Sequence, residues 1–112
     1  MKISELAEKL NLTVLGGHDG LDREIEGAYV SDLLSDVMGH ARAGELWITL
    51  QTHKNVSAIA SLKDLCGIIL VKNFKPDEDM LEKCNEDDIP VLQTNLPTFE
   101  LSGKVYAAIN NL

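Results

Sequence analysis

Residues that could bind an anion or carry out acid–base chemistry recur directly after apolar, β-rich segments of the chain. Ser31 and Asp32 follow one such segment, and His53 follows the next. If these three side chains met, histidine and carboxylate could activate the serine hydroxyl for acyl or phosphoryl chemistry. Ser31 lacks the G-x-S-x-G sequence of a nucleophile elbow. Catalysis is therefore the alternative. We expect Ser31 and Asp32, like Asn95 and Thr98 further along the chain, to form turns and cap helices.

A wider set of polar residues is predicted to lie where strands end and helices begin, which is the default ligand site of open α/β folds. Free N–H groups at helix N-termini and the charges of Lys54 and Lys72 would hold a small anion there. No two of the three histidines have i, i+4 spacing, so we predict no metal site and no cofactor. The candidate ligand-binding residues are Ser31, Asp32, Thr52, His53, Lys54, Lys72, Asn73, Thr94, Asn95 and Thr98.

The segment Gly16–Gly20 has the glycine content of a phosphate-binding loop. It follows a predicted strand but leads into another strand, so it lacks the helix dipole that would hold phosphate. A hairpin-like turn, in which three glycines can adopt positive φ, is the prediction.

Apolar periodicity divides the chain into elements that would position these residues. Strands are predicted over 13–15, 24–30, 46–50, 67–71 and 90–93. Helices are predicted over 4–10 with Ser4 as cap, over 32–38 and 55–65, from Pro76 onward, and from 97 or 98 to 110. Four strand-then-helix units predict an α/β fold, a mainly parallel sheet of βα units flanked by helices. Right-handed crossovers would then place all strand-to-helix loops at one edge.

The chain has 112 residues, 10 basic and 18 acidic, with a formal net charge of −8. That length predicts one domain over 1–112. The acidic balance argues against nucleic acid and anionic membranes as partners. Segment 77–88 contains seven acidic residues and one lysine and so carries −6 of the charge. It predicts a solvated helix face or, alternatively, a docking surface for a basic partner.

Two cysteines, Cys66 and Cys84, are too few for a disulfide framework, and we predict two reduced core thiols. No apolar run has the length of a membrane span, and the N-terminus lacks a signal-peptide pattern, so a cytoplasmic location is expected. Trp47 is predicted in the core, and Tyr106 faces either the sheet or a second subunit. A small open sheet has edges that self-association would cover, so we expect a homodimer.

Two stretches resemble known families. Residues 10–17, continuing through 20–25, resemble the start of the amino-terminal domain of bacterial HPr kinase/phosphorylase. The stretch from 27–32 (GAYVSD) to Phe99 resembles the DRTGG domain, which occurs beside CBS domains and in front of the catalytic part of long phosphotransacetylases. The two families share a fold, so the resemblance implies a single HPr kinase N-terminal-domain-like α/β domain.

The resemblance implies a non-catalytic regulatory module that binds a small ligand or docks onto a partner enzyme. HPr kinase activity belongs to a separate carboxy-terminal domain with a phosphate-binding loop, and this chain has no G-x-x-x-x-G-K-[ST] sequence. In DRTGG domains an Asp-Arg pair follows the second of these strands and Thr-Gly-Gly the third. Here the corresponding loops are 51–55 (QTHKN) and 71–73 (VKN). The alternatives are a small enzyme using Ser31, Asp32 and His53, and an adaptor using helix 77–88.

Overall fold

The computed structural model describes residues 1–112 and contains five strands and five α-helices. The strands are β1 (Thr13–Gly16), β2 (Gly27–Val30), β3 (Glu45–Thr49), β4 (Gly67–Leu70) and β5 (Val91–Gln93). The helices are α1 (Ile3–Lys9), α2 (Leu34–His40), α3 (Lys54–Leu62), α4 (Glu78–Glu86) and α5 (Thr98–Ile109). The alternation from β2 to α5 confirms the predicted α/β fold.

All five strands form one sheet, in the order β1-β5-β4-β3-β2. Strands β2 to β5 are parallel, each paired with its neighbour in sequence. Strand β1 is antiparallel to β5, with Thr13 opposite Gln93. The sheet is therefore mainly parallel, as predicted, with one antiparallel edge.

Two apolar cores lie on the two faces of the sheet. Leu46 and Ile48 of β3 point to the core formed with α1 and α5, whereas Trp47 between them points to the core formed with α2, α3 and α4. This follows from the alternation of side chains along a strand. Trp47 is fully buried, which confirms its predicted place in the core. Its indole Nε1 donates a hydrogen bond to the carbonyl oxygen of Ser31 at 2.8 Å.

The connections from the parallel strands to the helices lead to two different faces of the sheet. After β2, β3 and β4 the chain enters helices of one layer, and after β5 it crosses to α5 in the other layer. The loops that follow the neighbouring strands β4 and β5 therefore diverge to opposite faces of the sheet.

The prediction of a hairpin-like turn at Gly16–Gly20 is wrong, because β1 and β2 lie at opposite edges of the sheet. The segment contains a short 3₁₀ helix, His18–Gly20, and of its three glycines only Gly17 has positive φ, at 67°. The Gly17 N–H donates to Oδ1 of Asn85 at 2.7 Å, which fixes the turn against α4. The chain must then cross to the far edge, so no hairpin can form.

Several predicted element starts also differ from the structure. The N-cap of α1 is Lys2, so Ser4 lies inside the helix instead of capping it. Pro76 precedes α4, whose N-cap is Asp77. Residue Glu24 lies outside β2 and forms an isolated bridge with Lys2. The chain near Glu24 pairs with the N-terminal segment before it joins the sheet.

Both cysteines are free and buried, as predicted for core thiols. Burial raises the pKa of Cys66 to about 12 and the pKa of Cys84 to about 12, because an apolar surrounding disfavours the thiolate. None of the helices has the length and apolar character needed to cross a membrane.

Candidate functional site

A cavity of about 430 Å³ opens at the edge of the sheet where the parallel strands end. We call it the rim cavity. Its walls come from the loop after β4, the end of β5 with its following loop, and the α1–β1 connection. Two of the eight lining residues are hydrophobic and the others are uncharged polar residues. The lining residues are Leu10, Asn11, Thr13, Asn73, Gln93, Thr94, Asn95 and Leu96.

The position of the rim cavity follows from the topology. The chain leaves β4 towards α4 on one face and leaves β5 towards α5 on the other. Where neighbouring parallel strands send their connections to opposite faces, a crevice opens outside their carboxyl ends, and ligands of open α/β sheets bind there. The rim cavity lies at this switch point.

Backbone hydrogen bonds hold the two diverging loops together at the base of the cavity. The N–H of Lys72 donates to Leu96 O at 3.0 Å, and the N–H of Asn73 donates to Thr94 O at 2.8 Å. The amide of Gln93 donates to the carbonyl oxygens of Asn73 and Phe74 at 3.2 and 3.1 Å. These N–H groups are therefore occupied and cannot bind an anion.

Three side-chain amides remain free to bind a ligand at the rim cavity. Asn11, Asn73 and Asn95 are exposed, and none of their amide groups takes part in a hydrogen bond of the chain. Thr94 is buried, and its hydroxyl oxygen accepts from the N–H of Leu96 at 3.2 Å. An amide offers both donors and an acceptor, so the cavity suits a polar ligand that needs both.

The predicted site residues Ser31 and Asp32 stabilise the loop after β2 by hydrogen bonds to neighbouring groups of the chain. Oδ1 of Asp32 accepts from Thr49 Oγ1 at 2.8 Å and from Leu50 N at 2.9 Å, and so joins the end of β2 to the end of β3. Oγ of Ser31 accepts from Leu33 N at 3.1 Å. Hydrogen bonds from the hydroxyls of Ser31 and Tyr29 lower the pKa of the carboxyl of Asp36.

The predicted role of four residues as helix caps is wrong. The N-caps of α2 and α5 are Leu33 and Pro97, so Ser31, Asp32, Asn95 and Thr98 cap no helix. Ser31, Asp32 and Asn95 lie one or two residues before the cap, because each loop continues further before its helix begins. Thr98 is instead the first residue of α5.

His53 caps α3, because its Nδ1 accepts from the N–H of Asn55 at 3.1 Å. In the neutral ring this bond places the proton on Nε2. His53 makes no hydrogen bond to Ser31 or Asp32, whose own partners are named above. The geometry gives the acyl or phosphoryl alternative no support.

Lys54 lies away from the rim cavity. It lines a separate cavity of about 250 Å³ between α3 and α4, with Asp79, Glu82, Lys83 and Glu86. Its positive charge therefore stands beside the acidic segment. On α4 the carboxylates of Glu78 and Glu82 are exposed, and docking of a basic partner there stays a prediction.

The rim cavity gathers three of the ten predicted site residues, Asn73, Thr94 and Asn95. Thr52, His53 and Lys72 are on the same edge but do not line the cavity. Sequence reasoning missed Leu10, Asn11, Thr13, Gln93 and Leu96. The sequence shows a short link between α1 and β1, but no local pattern states that β1 runs antiparallel and brings this link to the strand ends.

Comparison with known proteins identifies the family. The model of the DRTGG domain matches residues 5–108. The chain belongs to the DRTGG domain family. This confirms the resemblance inferred from the sequence. No curated protein sequence matches the chain.

A solved structure shares the fold. It contains the CBS and DRTGG domains of the regulatory region of Clostridium perfringens pyrophosphatase, complexed with the activator diadenosine tetraphosphate. The TM-score is 0.75 at 12% identity over 93% of this chain, which spans 45% of the other. At that identity the likeness shows the fold alone.

The loop after β4 contains two consecutive non-glycine residues with positive φ. Val71, Lys72 and Asn73 stand where the Thr-Gly-Gly sequence stands in the DRTGG pattern, and φ is 56° at Lys72 and 58° at Asn73. Positive φ is a conformation in which glycine is unstrained. In this chain Lys72 and Asn73 adopt that conformation, at the two positions where the DRTGG pattern has glycine.

Proposed function

We propose that this DRTGG domain is a non-catalytic regulatory module that binds a nucleotide-sized ligand in the rim cavity. The observation that carries the proposal is the cavity at the switch point between β4 and β5, lined by amides with no partner in the chain. Its volume of about 430 Å³ falls in the range of small-molecule sites.

The lining chemistry favours a ligand with a polar heterocycle or sugar. Asparagine amides can pair with adenine by donating and accepting hydrogen bonds at the same time. Lys72, next to Asn73 and exposed, supplies a positive charge outside the cavity for a phosphate group. The regulatory region of the similar solved structure was complexed with an adenine nucleotide, diadenosine tetraphosphate, which agrees with this class.

A regulatory role without catalysis is the second part of the proposal. Ser31, Asp32 and His53 direct their hydrogen bonds to other groups, so they do not form a nucleophile with its base. The regulated activity would belong to a partner enzyme or to a further domain. Binding in the rim cavity would act by changing the loops after β4 and β5.

Isothermal titration calorimetry tests the proposal with four probes: adenosine, AMP, ATP and diadenosine tetraphosphate. We expect at least one to bind, and the double variant Asn11→Gly, Asn95→Ala to weaken that binding by about tenfold or more. Glycine is used at position 11 because φ is 56° there, a conformation that strains alanine. Asn55→Ala, an exposed asparagine on α3, is the matched control and should bind as the wild type does. No binding of any probe, or equal affinity of the double variant, would overturn the proposal.

A further inference from the structure

A second cavity lies between α5 and β2, at the edge of the sheet opposite β1. We call it the edge cavity. Its volume is about 460 Å³, which falls in the range of small-molecule sites. It shares no lining residue with the rim cavity. A ligand of the edge cavity is therefore recognised independently of the ligand proposed for the rim cavity.

The edge cavity exists because α5 leaves β2 partly uncovered. Helix α5 contacts both β2 and β3, and its Val105 is buried in the core on that face of the sheet. Ala28 of β2 packs against the same core but has a short side chain, and Val30 beyond it is 47% exposed. Seven of the twelve lining residues are hydrophobic. The cavity therefore suits a ligand with an apolar body.

The charged residues that line the edge cavity are both acidic. They are Glu26 and Glu45, and no basic residue joins them. Oε1 of Glu45 accepts from the N–H of Arg42 at 2.7 Å. The carboxylate of Glu26 is exposed and takes part in no hydrogen bond or ion pair of the chain. Its Cγ occupies the space that a side chain at Gly44 would need, which places Glu26 beside the cavity.

Two uncharged polar side chains of α5 and its C-terminal end also line the edge cavity. The hydroxyl oxygen of Ser102 is buried and has no hydrogen-bond partner in the chain. Such groups are rare in folded proteins, because buried polar atoms are nearly always hydrogen-bonded. The amide nitrogen of Asn110 donates to Tyr106 O at 2.9 Å, so Asn110 offers the cavity its oxygen. Together with Glu26, the lining mainly accepts hydrogen bonds.

We propose that the edge cavity binds a small amphipathic amine. Its apolar body would pack against Ala28, Val30 and Val105, and its ammonium group would donate to Glu26, with Ser102 and Asn110 as further acceptors. An ammonium group has three donors and no acceptor, which matches this lining.

The same lining disfavours the other classes of small ligand. An anion would meet two carboxylates and no basic residue. A wholly apolar ligand would leave the buried hydroxyl of Ser102 without a partner, which costs free energy. An amine with an apolar body satisfies both the charge and the hydroxyl.

Tryptamine and tryptophol test the requirement for a positive charge, because they share an indole ring and differ in a terminal amine or hydroxyl group. Isothermal titration calorimetry at about 0.15 M salt limits the attraction between distant surface charges. We expect tryptamine to bind, and tryptophol to bind about fivefold or more weakly. No binding of tryptamine, or equal affinity of the two compounds, would overturn the proposal.

Glu26→Gln tests the residue that would hold the ammonium group. It should weaken tryptamine binding by about fivefold or more and leave tryptophol binding unchanged. Glu100→Gln is the matched control, because Glu100 is an exposed carboxylate of α5 that does not line the cavity. An equal effect of the two variants on tryptamine would contradict the role of Glu26.

Amide chemical shifts in ¹H–¹⁵N NMR spectra show where tryptamine binds. We expect the largest changes at Ala28, Val30, Ser102 and Tyr106. Segment 77–88 is the strongest competing site for a cation, because it carries −6 of the net charge. Changes centred on that segment would overturn the proposal.

Ser102→Ala separates ligand binding from stability. Alanine removes a buried hydroxyl that has no partner, so thermal denaturation should show a fold at least as stable as the wild type. Tryptamine binding should nevertheless weaken, because one acceptor is lost. Unchanged tryptamine binding would contradict the role of Ser102. The rim cavity is tested with other ligands and other variants, so failure of these experiments leaves the proposed function standing.

Discussion

At the level of single residues, the carboxylate of Asp32 links two strand ends instead of facing a ligand. It accepts hydrogen bonds from the buried Thr49 hydroxyl and from Leu50 N, at 2.8 and 2.9 Å. Removing the acceptor would leave a hydroxyl inside the protein without that partner, which costs more free energy than losing a solvent-exposed bond. The residue type expected at a ligand site is thus required by the loop itself.

We expect Asp32→Ala to lower the free energy of unfolding by about 1–2 kcal/mol, measured by urea denaturation. Asp32→Asn keeps an oxygen at the same position and should cost less than half as much. Asp19→Ala, at an exposed carboxylate without a hydrogen bond, is the control and should stay within about 0.5 kcal/mol of the wild type. Equal stability of all three variants would contradict this role of Asp32.

At the level of elements, the loop after β4 shows a backbone conformation maintained against the preference of its residues. Lys72 and Asn73 both have positive φ, and their N–H groups bond the loop after β5. Asparagine tolerates this conformation better than lysine does. Hydrogen bonds between the two loops therefore hold Lys72 in a strained conformation, and this also shapes the base of the rim cavity.

Lys72→Gly should raise the free energy of unfolding by about 0.5–1 kcal/mol, because relief of the strain exceeds the entropy that glycine adds to the unfolded chain. Lys75→Gly, three residues later and without positive φ, should instead lower it. Thermal and urea denaturation would measure both. A destabilised Lys72→Gly variant would show that the loop gains nothing from glycine at this position.

At the level of the whole molecule, the two buried thiols make the free energy of unfolding depend on pH through both cores. Cys66 belongs to the core under α1 and α5, and Cys84 belongs to the core under α2 to α4. Burial raises the pKa of each thiol from 9.0 to about 12. A thiol whose pKa is higher in the folded state stabilises the fold fully below its unfolded pKa, and this contribution is lost as the pH rises towards the folded pKa.

The free energy of unfolding should therefore fall above pH 9, by about 1.4 kcal/mol per pH unit for each thiol. Urea denaturation at pH 8, 9 and 10 in the presence of reductant measures the slope. The double variant Cys66→Ala, Cys84→Ala should lose this part of the slope. It keeps Tyr29, whose pKa is raised by burial and by its hydrogen bond to Asp36. An unchanged slope would contradict the assignment.

Much of the fold could be predicted because its signals are local. The run Gly67–Leu70 is buried at every position, as a continuous apolar stretch predicts for a parallel strand covered on both faces. The alternation of such strands with helices then implies a mainly parallel sheet, since parallel neighbours need a crossover connection. The rule that the carboxyl ends of parallel strands share one edge of the sheet likewise predicts the three site residues that line the rim cavity.

The sequence by itself determined the α/β architecture, the core thiols and the polar character of the strand ends, because each depends on a residue and its near neighbours. Only the tertiary structure decided the pairing of β1 with β5, and with it the contribution of Asn11 and Thr13 to the rim cavity. It also decided that the side chains of Asp32 and His53 accept hydrogen bonds from backbone N–H groups. Partners distant in sequence are selected by the burial and hydrogen bonding of the whole chain, which no local periodicity records.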